Sequence, residues 1–259
     1  MAILKHCIHE LYEYRKSLST TSFNARGKNI SRCNSCLQAR TWCLCEHRRQ
    51  LVSNASFVLL MYDDEVLKPS NSGRLIADLI PDTHAFLWSR VEVDPKVIAL
   101  INHDDYQPIV IFPDSYNFNN RPSFSTVQAV DAIANKATNK KPLFILLDGC
   151  WREAAKMFRK SPYLNELPLL SFSPDFLANY AIRKGQREFQ LGTAEVAALA
   201  LESFGEHANA KALIAWTEVF KESILLGRNK RVSNTISPFS QYTDRFAALH
   251  QQAIEAMVF

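Results

Sequence analysis

The sequence predicts an α/β protein with a mostly parallel sheet and helices on both faces. Residues 143–147 are an unbroken apolar run, which is typical of a strand covered on both sides in a parallel sheet. Asp148 and Gly149 end this run, and residues 151–160 have the periodicity of an amphipathic helix. Comparable strand and helix patterns alternate from residue 56 onward. We therefore expect ligands at the carboxyl edge of the sheet, where open α/β folds bind them.

Five strands are predicted, and each is a short apolar run bounded by turn residues. Pro81 precedes the second strand and Pro113 ends the third, because proline interrupts regular pairing. The five runs are residues 57–62, 85–88, 109–112, 143–147 and 167–172.

Helices are predicted between and after these strands. Ser125 and Gln128 form a capping box that would open one helix. Thr193 is the predicted cap of a strongly apolar helix, and Glu195 lies in its first turn, where the helix dipole favours an acid. Gly227 is expected to end the longest helix. The predicted helices are residues 74–80, 95–102, 125–135, 151–160, 194–203, 208–226 and 243–257.

The N-terminal residues predict a short amphipathic helix, because Leu4, Ile8 and Leu11 fall on one side. Residues 17–24 are polar, so we interpret this region as a tether rather than a domain. The first sixteen residues are charged throughout and lack the apolar segment of a secretory signal. The chain also contains no run of about 18 apolar residues. We therefore expect a cytoplasmic protein without a membrane partner, and a monomer with no obligate protein partner.

Positive charge is concentrated at the start of the chain. Residues 1–50 carry nine Lys and Arg against three Glu, a net charge of +6, whereas the remainder carries 21 basic and 23 acidic residues. An anionic partner is therefore expected to bind the N-terminal segment. We divide the chain into a basic segment at 1–50 and an α/β catalytic domain at 51–259.

Four cysteines within the basic segment follow the pattern C-x2-C-x6-C-x-C. Cys33, Cys36, Cys43 and Cys45 could complete a tetrahedral four-thiolate shell, and in a reducing compartment this density favours a metal site over disulfides. Four thiolates and Zn²⁺ carry a net charge of −2, which neighbouring arginines would stabilise. We favour structural zinc. An iron–sulfur cluster is the weaker alternative, because the C-x-C half departs from ferredoxin-like spacing.

Candidate catalytic groups lie at the ends of the predicted strands. Asp148 is the main candidate, although from local chemistry alone an Asp that caps the following helix is the more common role. Cys150 also precedes that helix, and we expect it to be a buried structural thiol. Neither G-x-G-x-x-G nor G-x-x-x-x-G-K-[ST] nor G-x-S-x-G occurs, which weighs against dinucleotide, P-loop and α/β-hydrolase sites.

The segment from Tyr180 to Thr193 combines aromatic and basic residues. Arg183, Lys184 and Arg187 are interleaved with Tyr180 and Phe189, a composition that suits phosphate contact and base stacking. A solvated loop is an equally good interpretation of these residues alone.

Taken in order, several motifs resemble the DTW-domain family. Asp148 and Trp151 match the residues that give the family its name, whereas Cys150 stands at the family's Thr position and Ser72 replaces another Thr. The matching motifs, together with the four cysteines, are Glu65 followed by Asn71-Ser72-Gly73-Arg74-Leu75, Phe112-Pro113, Asp148-Gly149-Cys150-Trp151-Arg152-Glu153-Ala154, Lys156-Met157, Tyr180-Ala181-Ile182-Arg183 and Gly192-Thr193-Ala194-Glu195.

The resemblance implies a SPOUT-like α/β fold with a knotted cofactor pocket. It further implies transfer of the 3-amino-3-carboxypropyl group of S-adenosylmethionine to uridine N3 in tRNA, with Asp148 as the candidate base. The cofactor residues it implies are Ser72, Phe112, Pro113, Asp148, Trp151, Leu191, Thr193 and Ala194. The candidates for RNA contact are Arg32, Arg40, Arg48, Arg49, Arg74, Lys156, Arg183, Lys184 and Arg187.

Two other functions stay open at this point. One is an RNA methyltransferase of the same general architecture, which would release S-adenosylhomocysteine instead of methylthioadenosine. The other is a non-catalytic module that binds zinc and RNA and forms neither product.

Overall fold

The predicted parallel sheet is confirmed. The computed structural model describes residues 5–21, 29–118, 120–125, 140–173, 177, 191–228 and 239–257. Within them six strands form one sheet in the order β2-β1-β5-β3-β6-β4, and every pairing is parallel. The strands are β1 (Ser56–Met61), β2 (Thr83–Leu87), β3 (Tyr106–Ile111), β4 (Ser123–Phe124), β5 (Lys141–Asp148) and β6 (Leu169–Leu170).

The sheet differs from the prediction at the edge formed by β6 and β4. The short strand β4 was not predicted, because two residues give no measurable alternation. The strand expected over 167–172 pairs only at Leu169 and Leu170. The predicted helix at 125–135 lies outside the described residues, except for Ser125. The knotted cofactor pocket stays a prediction.

Seven helices are described, and most lie close to their predicted bounds. The longest helix was expected to end at Gly227 but continues to Arg228, because glycine weakens a helix without breaking it. The helices are α1 (Cys7–Ser17), α2 (Arg74–Leu79), α3 (Pro95–Ile101), α4 (Trp151–Arg159), α5 (Thr193–Ser203), α6 (His207–Arg228) and α7 (Phe239–Ala256). None of them has the length and hydropathy that a membrane crossing requires.

Helices cover both faces of the sheet, as predicted. Along β1, Phe57, Leu59 and Met61 face α1, α2, α5, α6 and α7, whereas Val58 and Leu60 face α3 and α4. The two apolar clusters bury almost all of these side chains completely. This burial on both faces accounts for the continuous apolar runs in the sequence.

Helix α1 is anchored to this core, so the interpretation of the N-terminal region as a tether is wrong for residues 7–17. Ile8 is only 1% exposed and packs in the same apolar cluster as Leu44 and Leu51. Before the helix, His6 Nε2 lies 3.1 Å from an oxygen of Asp78 in α2. Trp216 Nε1 in α6 also donates to Asp78, at 3.1 Å. The N-terminal helix therefore shares its core with the α/β sheet.

Asp82 connects several strands at the amino edge of the sheet. Its carboxylate accepts hydrogen bonds from Ser56 Oγ and Lys141 Nζ, both at 2.6 Å. The hydrogen bond with His84, followed by those from Lys141 and Ser56, lowers the pKa of Asp82 below its ordinary value.

We expect Asp82→Ala to lower the free energy of unfolding by about 2 kcal/mol at pH 7, because charged hydrogen bonds between strands are lost. The lowered pKa means that this contribution is complete above about pH 4 and disappears as the pH falls further. Urea denaturation at pH 7 and pH 3 measures both effects. Asp104→Ala, at an exposed position of the next turn, is the control. Equal losses at the two pH values would contradict the electrostatic explanation.

Candidate active site and metal centre

A cavity of about 510 Å³ opens at the carboxyl edge of the sheet, where strands β3, β5 and β6 end and α5 begins. Five of the eight predicted cofactor residues line it: Phe112, Pro113, Trp151, Leu191 and Thr193. The other three, Ser72, Asp148 and Ala194, lie next to Thr193 but do not form the wall. The structure thus brings together positions that are up to 122 residues apart in the chain.

Aromatic rings form one wall of this cavity. The rings of Phe112 and Trp151 are parallel within 2°, with centroids 5.5 Å apart, and Phe158 stacks behind Phe112 at 4.3 Å. Trp151 is 55% exposed although it is apolar over most of its surface. Such a preorganised, open ring is suited to stack on a flat heterocycle such as a nucleobase.

Asp148 lies behind the cavity wall and is 3% exposed. Its Oδ2 accepts a hydrogen bond from Asn71 Nδ2 at 2.7 Å, and its Oδ1 accepts one from Thr193 Oγ1 at 2.5 Å. The cap of helix α4 is Cys150 rather than Asp148. The alternative role of Asp148 as a simple helix cap is therefore wrong. Gly73 leaves room for the carboxylate, since any side chain there would collide with Oδ2.

Burial raises the pKa of Asp148 to about 6, and the hydrogen bonds from Asn71 and Thr193 act in the opposite direction. A carboxyl group with this pKa is mostly ionised at pH 7 but remains basic enough to accept a proton. Groups with pKa values near the working pH are the effective general bases. Burial thus gives Asp148 a pKa that would suit a general base.

Thr193 faces this carboxylate because of how α5 begins. The helix cap is Gly192, so the prediction that Thr193 is the cap is wrong, and its hydroxyl is free to donate to Asp148. Glu195 lies in the first turn, as expected, and it is also buried; its carboxylate accepts hydrogen bonds from the Gly192 backbone N–H at 2.8 Å and from Lys221 Nζ at 3.0 Å. Glu195 thereby fixes the turn that presents Thr193.

Cys150 is exposed and lines the cavity, so the prediction of a buried structural thiol is wrong. The turn after β5 directs it outward, since its backbone N–H donates to Glu153 Oε2 at 2.7 Å. The cysteine at the family's Thr position therefore borders the cavity.

The four clustered cysteines form a compact metal-binding geometry. All four Sγ atoms lie within 4.8 Å of one another, and the pairs Cys33–Cys45 and Cys36–Cys43 are each 3.7 Å apart. Thiolates bound tetrahedrally to one Zn²⁺ at about 2.3 Å would be about 3.8 Å apart. An iron–sulfur cluster places several atoms between its thiolates and needs wider spacing. The geometry fits a single ion.

Arg74 was a candidate for RNA contact, and its burial contradicts this. Its side chain is only 4% exposed, and its guanidinium donates to the carbonyl oxygen of Ser35 at 3.4 Å. So little exposed surface does not suit contact with tRNA phosphates. Arg74 instead supplies a buried positive charge beside Cys36, one of the four cysteines.

The other residues predicted to contact RNA differ in their exposure. Arg40 and Arg49 are exposed, whereas Arg32 and Arg48 are half-buried, and Arg48 lies 3.3 Å from Asp78. Lys156 is half-buried on α4. The predicted contacts of Arg183, Lys184 and Arg187 lie outside the described residues.

Asn71 was not singled out as a site residue from the sequence. It belongs to a matched motif, so its place beside Asp148 could have been found there.

One protein-family model matches the sequence of this chain. No solved structure matches this chain. The family model described as the DTW domain matches residues 30–225, which include the four cysteines, Asp148 and the cavity wall, and the match crosses the predicted domain boundary after residue 50. It supports an enzyme with a general role in tRNA modification. The chain belongs to the DTW-domain family.

Proposed function

We propose that the protein is a tRNA-uridine aminocarboxypropyltransferase with S-adenosylmethionine as donor. The observation that carries this proposal is an aromatic-walled cavity of about 510 Å³ beside a buried carboxylate of raised pKa. A cavity of this volume suits a nucleoside-sized ligand. Phe112, Trp151 and Leu191 supply apolar contacts for the adenine, and Thr193 connects the cavity with Asp148.

The proposed reaction joins uridine N3 to the γ-carbon of the donor's aminocarboxypropyl group. The bond between this carbon and the sulfonium sulfur breaks, and its electron pair leaves on the sulfur of methylthioadenosine. The leaving group is a neutral thioether, so it needs no protonation and no metal. The protein must orient the γ-carbon, rather than the methyl group, toward the acceptor.

Uridine N3 becomes a good nucleophile once its proton is removed. We propose that the Thr193 hydroxyl takes this proton as it passes its own proton to Asp148. Two observations support this path: Thr193 lines the cavity, and its hydroxyl already donates to Asp148. Asn71 holds the other carboxylate oxygen and so fixes the direction of the base.

We propose that Cys33, Cys36, Cys43 and Cys45 hold one structural zinc ion. The cluster packs beside α1 and α2, and none of its four cysteines lines the cavity. The zinc would fix the basic segment, and we propose that its exposed Arg40 and Arg49 contact tRNA phosphates.

The experiment that tests the function is identification of the adenosyl product. The purified protein is incubated with S-adenosylmethionine and bulk tRNA, and the small molecules are separated by chromatography. We expect methylthioadenosine, in an amount that depends on tRNA. S-Adenosylhomocysteine would identify a methyltransferase instead. If neither product were formed, the protein would be the non-catalytic module that binds zinc and RNA.

A further inference from the structure

Two aromatic rings and a lysine form a compact surface beside the cavity. Tyr62 follows β1 and Trp88 follows the neighbouring β2, and their rings are nearly parallel, at 19°, with centroids 5.8 Å apart. Lys156 Nζ in α4 lies 5.3 Å from the centroid of Tyr62 and 5.8 Å from that of Trp88, and it donates to the Tyr62 hydroxyl at 3.1 Å. We call these three residues the ring platform.

The ring platform adjoins the cavity through Gly149. This glycine lines the cavity, and a side chain on it would come within 3.2 Å of Tyr62 Cβ. Tyr62 therefore lies just beyond the cavity wall, at the same edge of the sheet. If one nucleotide of an RNA strand entered the cavity, the adjacent nucleotide would lie over Tyr62 and Trp88.

The charges around the ring platform favour a polyanion. Arg152 and Arg159 are exposed and share a face of α4 with Lys156, because residues four and three apart are neighbours on a helix. Two of the acidic residues that follow Tyr62 have basic partners. Asp63 accepts from Arg15 at 2.8 Å, and Glu65 is paired with Lys68.

We propose that the ring platform and the basic face of α4 bind the nucleotide next to the target uridine in tRNA. Its base stacks on Tyr62 and Trp88, and Arg152, Lys156 and Arg159 each contact a phosphate beside it. Stacking on aromatic side chains combined with cationic contacts is how single-stranded nucleic acid is held. This inference rests on the proposed function, since it assigns the surface that presents the acceptor to the cavity.

The test measures tRNA affinity without donor, by filter binding over a range of salt concentrations. The variant Arg152→Gln/Lys156→Gln/Arg159→Gln should bind more weakly. The slope of its log affinity against log salt concentration should be smaller in magnitude by about 2 to 3, because each lost phosphate contact lowers that magnitude by about 0.7 to 0.9. Lys211→Gln on α6, which covers the opposite face of the sheet, is the matched control and should behave like the wild type.

Stacking is tested at Trp88 with a matched pair of variants. Trp88→Leu should lower the affinity by about 5- to 150-fold, the range for one stacked base, whereas Trp88→Phe should keep most of it. Both variants lose the hydrogen bond from Trp88 Nε1 to Ser161, so the difference between them reports the ring alone.

The ring platform and the proposed function can each fail without the other. Wild-type affinity and salt dependence in the triple variant, or equal losses in Trp88→Leu and Trp88→Phe, would overturn the ring platform even if methylthioadenosine is formed. A different adenosyl product would overturn the proposed function without affecting a measured loss of tRNA affinity.

Discussion

Asp148→Asn is expected to lower turnover at least 100-fold and, at the same time, to stabilise the fold. General bases contribute about 10² to 10⁴-fold in rate, and the amide cannot accept the proton. The size and most hydrogen bonds are retained, since the Asn oxygen can face Asn71 and its NH₂ can donate to the Thr193 hydroxyl. Initial rates of methylthioadenosine formation and thermal unfolding measure the two effects, and donor affinity should change little.

The stability gain follows from the direction of the pKa change. A carboxyl group whose pKa is raised in the folded state stabilises the fold when protonated, and this contribution is lost as the pH rises from about 4 to about 6. A pKa of about 6 corresponds to at most about 3 kcal/mol at neutral pH, which the permanently neutral Asn would recover.

The same pKa predicts the pH dependence of the wild-type reaction. Because the base must be ionised, kcat/KM should rise with pH up to about 6 and then level off. Thr193→Val should lower turnover strongly, whereas Thr193→Ser, which keeps the hydroxyl, should remain active. An Asp148→Asn protein with near-wild-type turnover would show that positioning alone drives transfer and that the proton is lost to water.

Cys36→Ser is expected to remove most of the bound zinc and to destabilise the protein by several kcal/mol. A serine oxygen is a poor ligand for zinc, and metal binding contributes directly to folding free energy where the ligands are assembled only in the folded state. Buried Arg74 would also lose one of the negative charges near it, although Asp78 would remain. Elemental analysis and thermal unfolding with and without a chelator measure the loss.

Cys7→Ser is the control for this change. Cys7 is half-buried and lies outside the cluster, and burial raises the pKa of its thiol to about 12, so it stays protonated. We expect one equivalent of zinc per chain in the wild type and in Cys7→Ser. A Cys36→Ser protein with full zinc content and unchanged unfolding would exclude the four-cysteine site.

The sequence was sufficient for those features that have a local signal. The apolar run at 143–147 predicted a central strand because both faces of β5 are covered, and the spacing of Cys33 and Cys36 predicted a metal site. Both patterns are set by neighbours along the chain.

Features that depend on long-range contacts were predicted less well. Thr193 has the chemistry of a helix cap, and only the fold shows that Gly192 takes that place while the hydroxyl turns to Asp148. The charge of Arg74 indicated a surface residue, but packing against the cysteine cluster buries it. Both residues lie at the candidate sites, and there the folded structure overrides the role that their local sequence suggests.

The most direct test of the account follows the transferred atoms into tRNA. Two preparations of S-adenosylmethionine are used, one labelled in the aminocarboxypropyl group and one labelled in the methyl group. We expect only the first label to enter tRNA and the second to remain with methylthioadenosine. Incorporation of the methyl label into tRNA would contradict the proposed function, and the absence of both labels would contradict catalysis at this site.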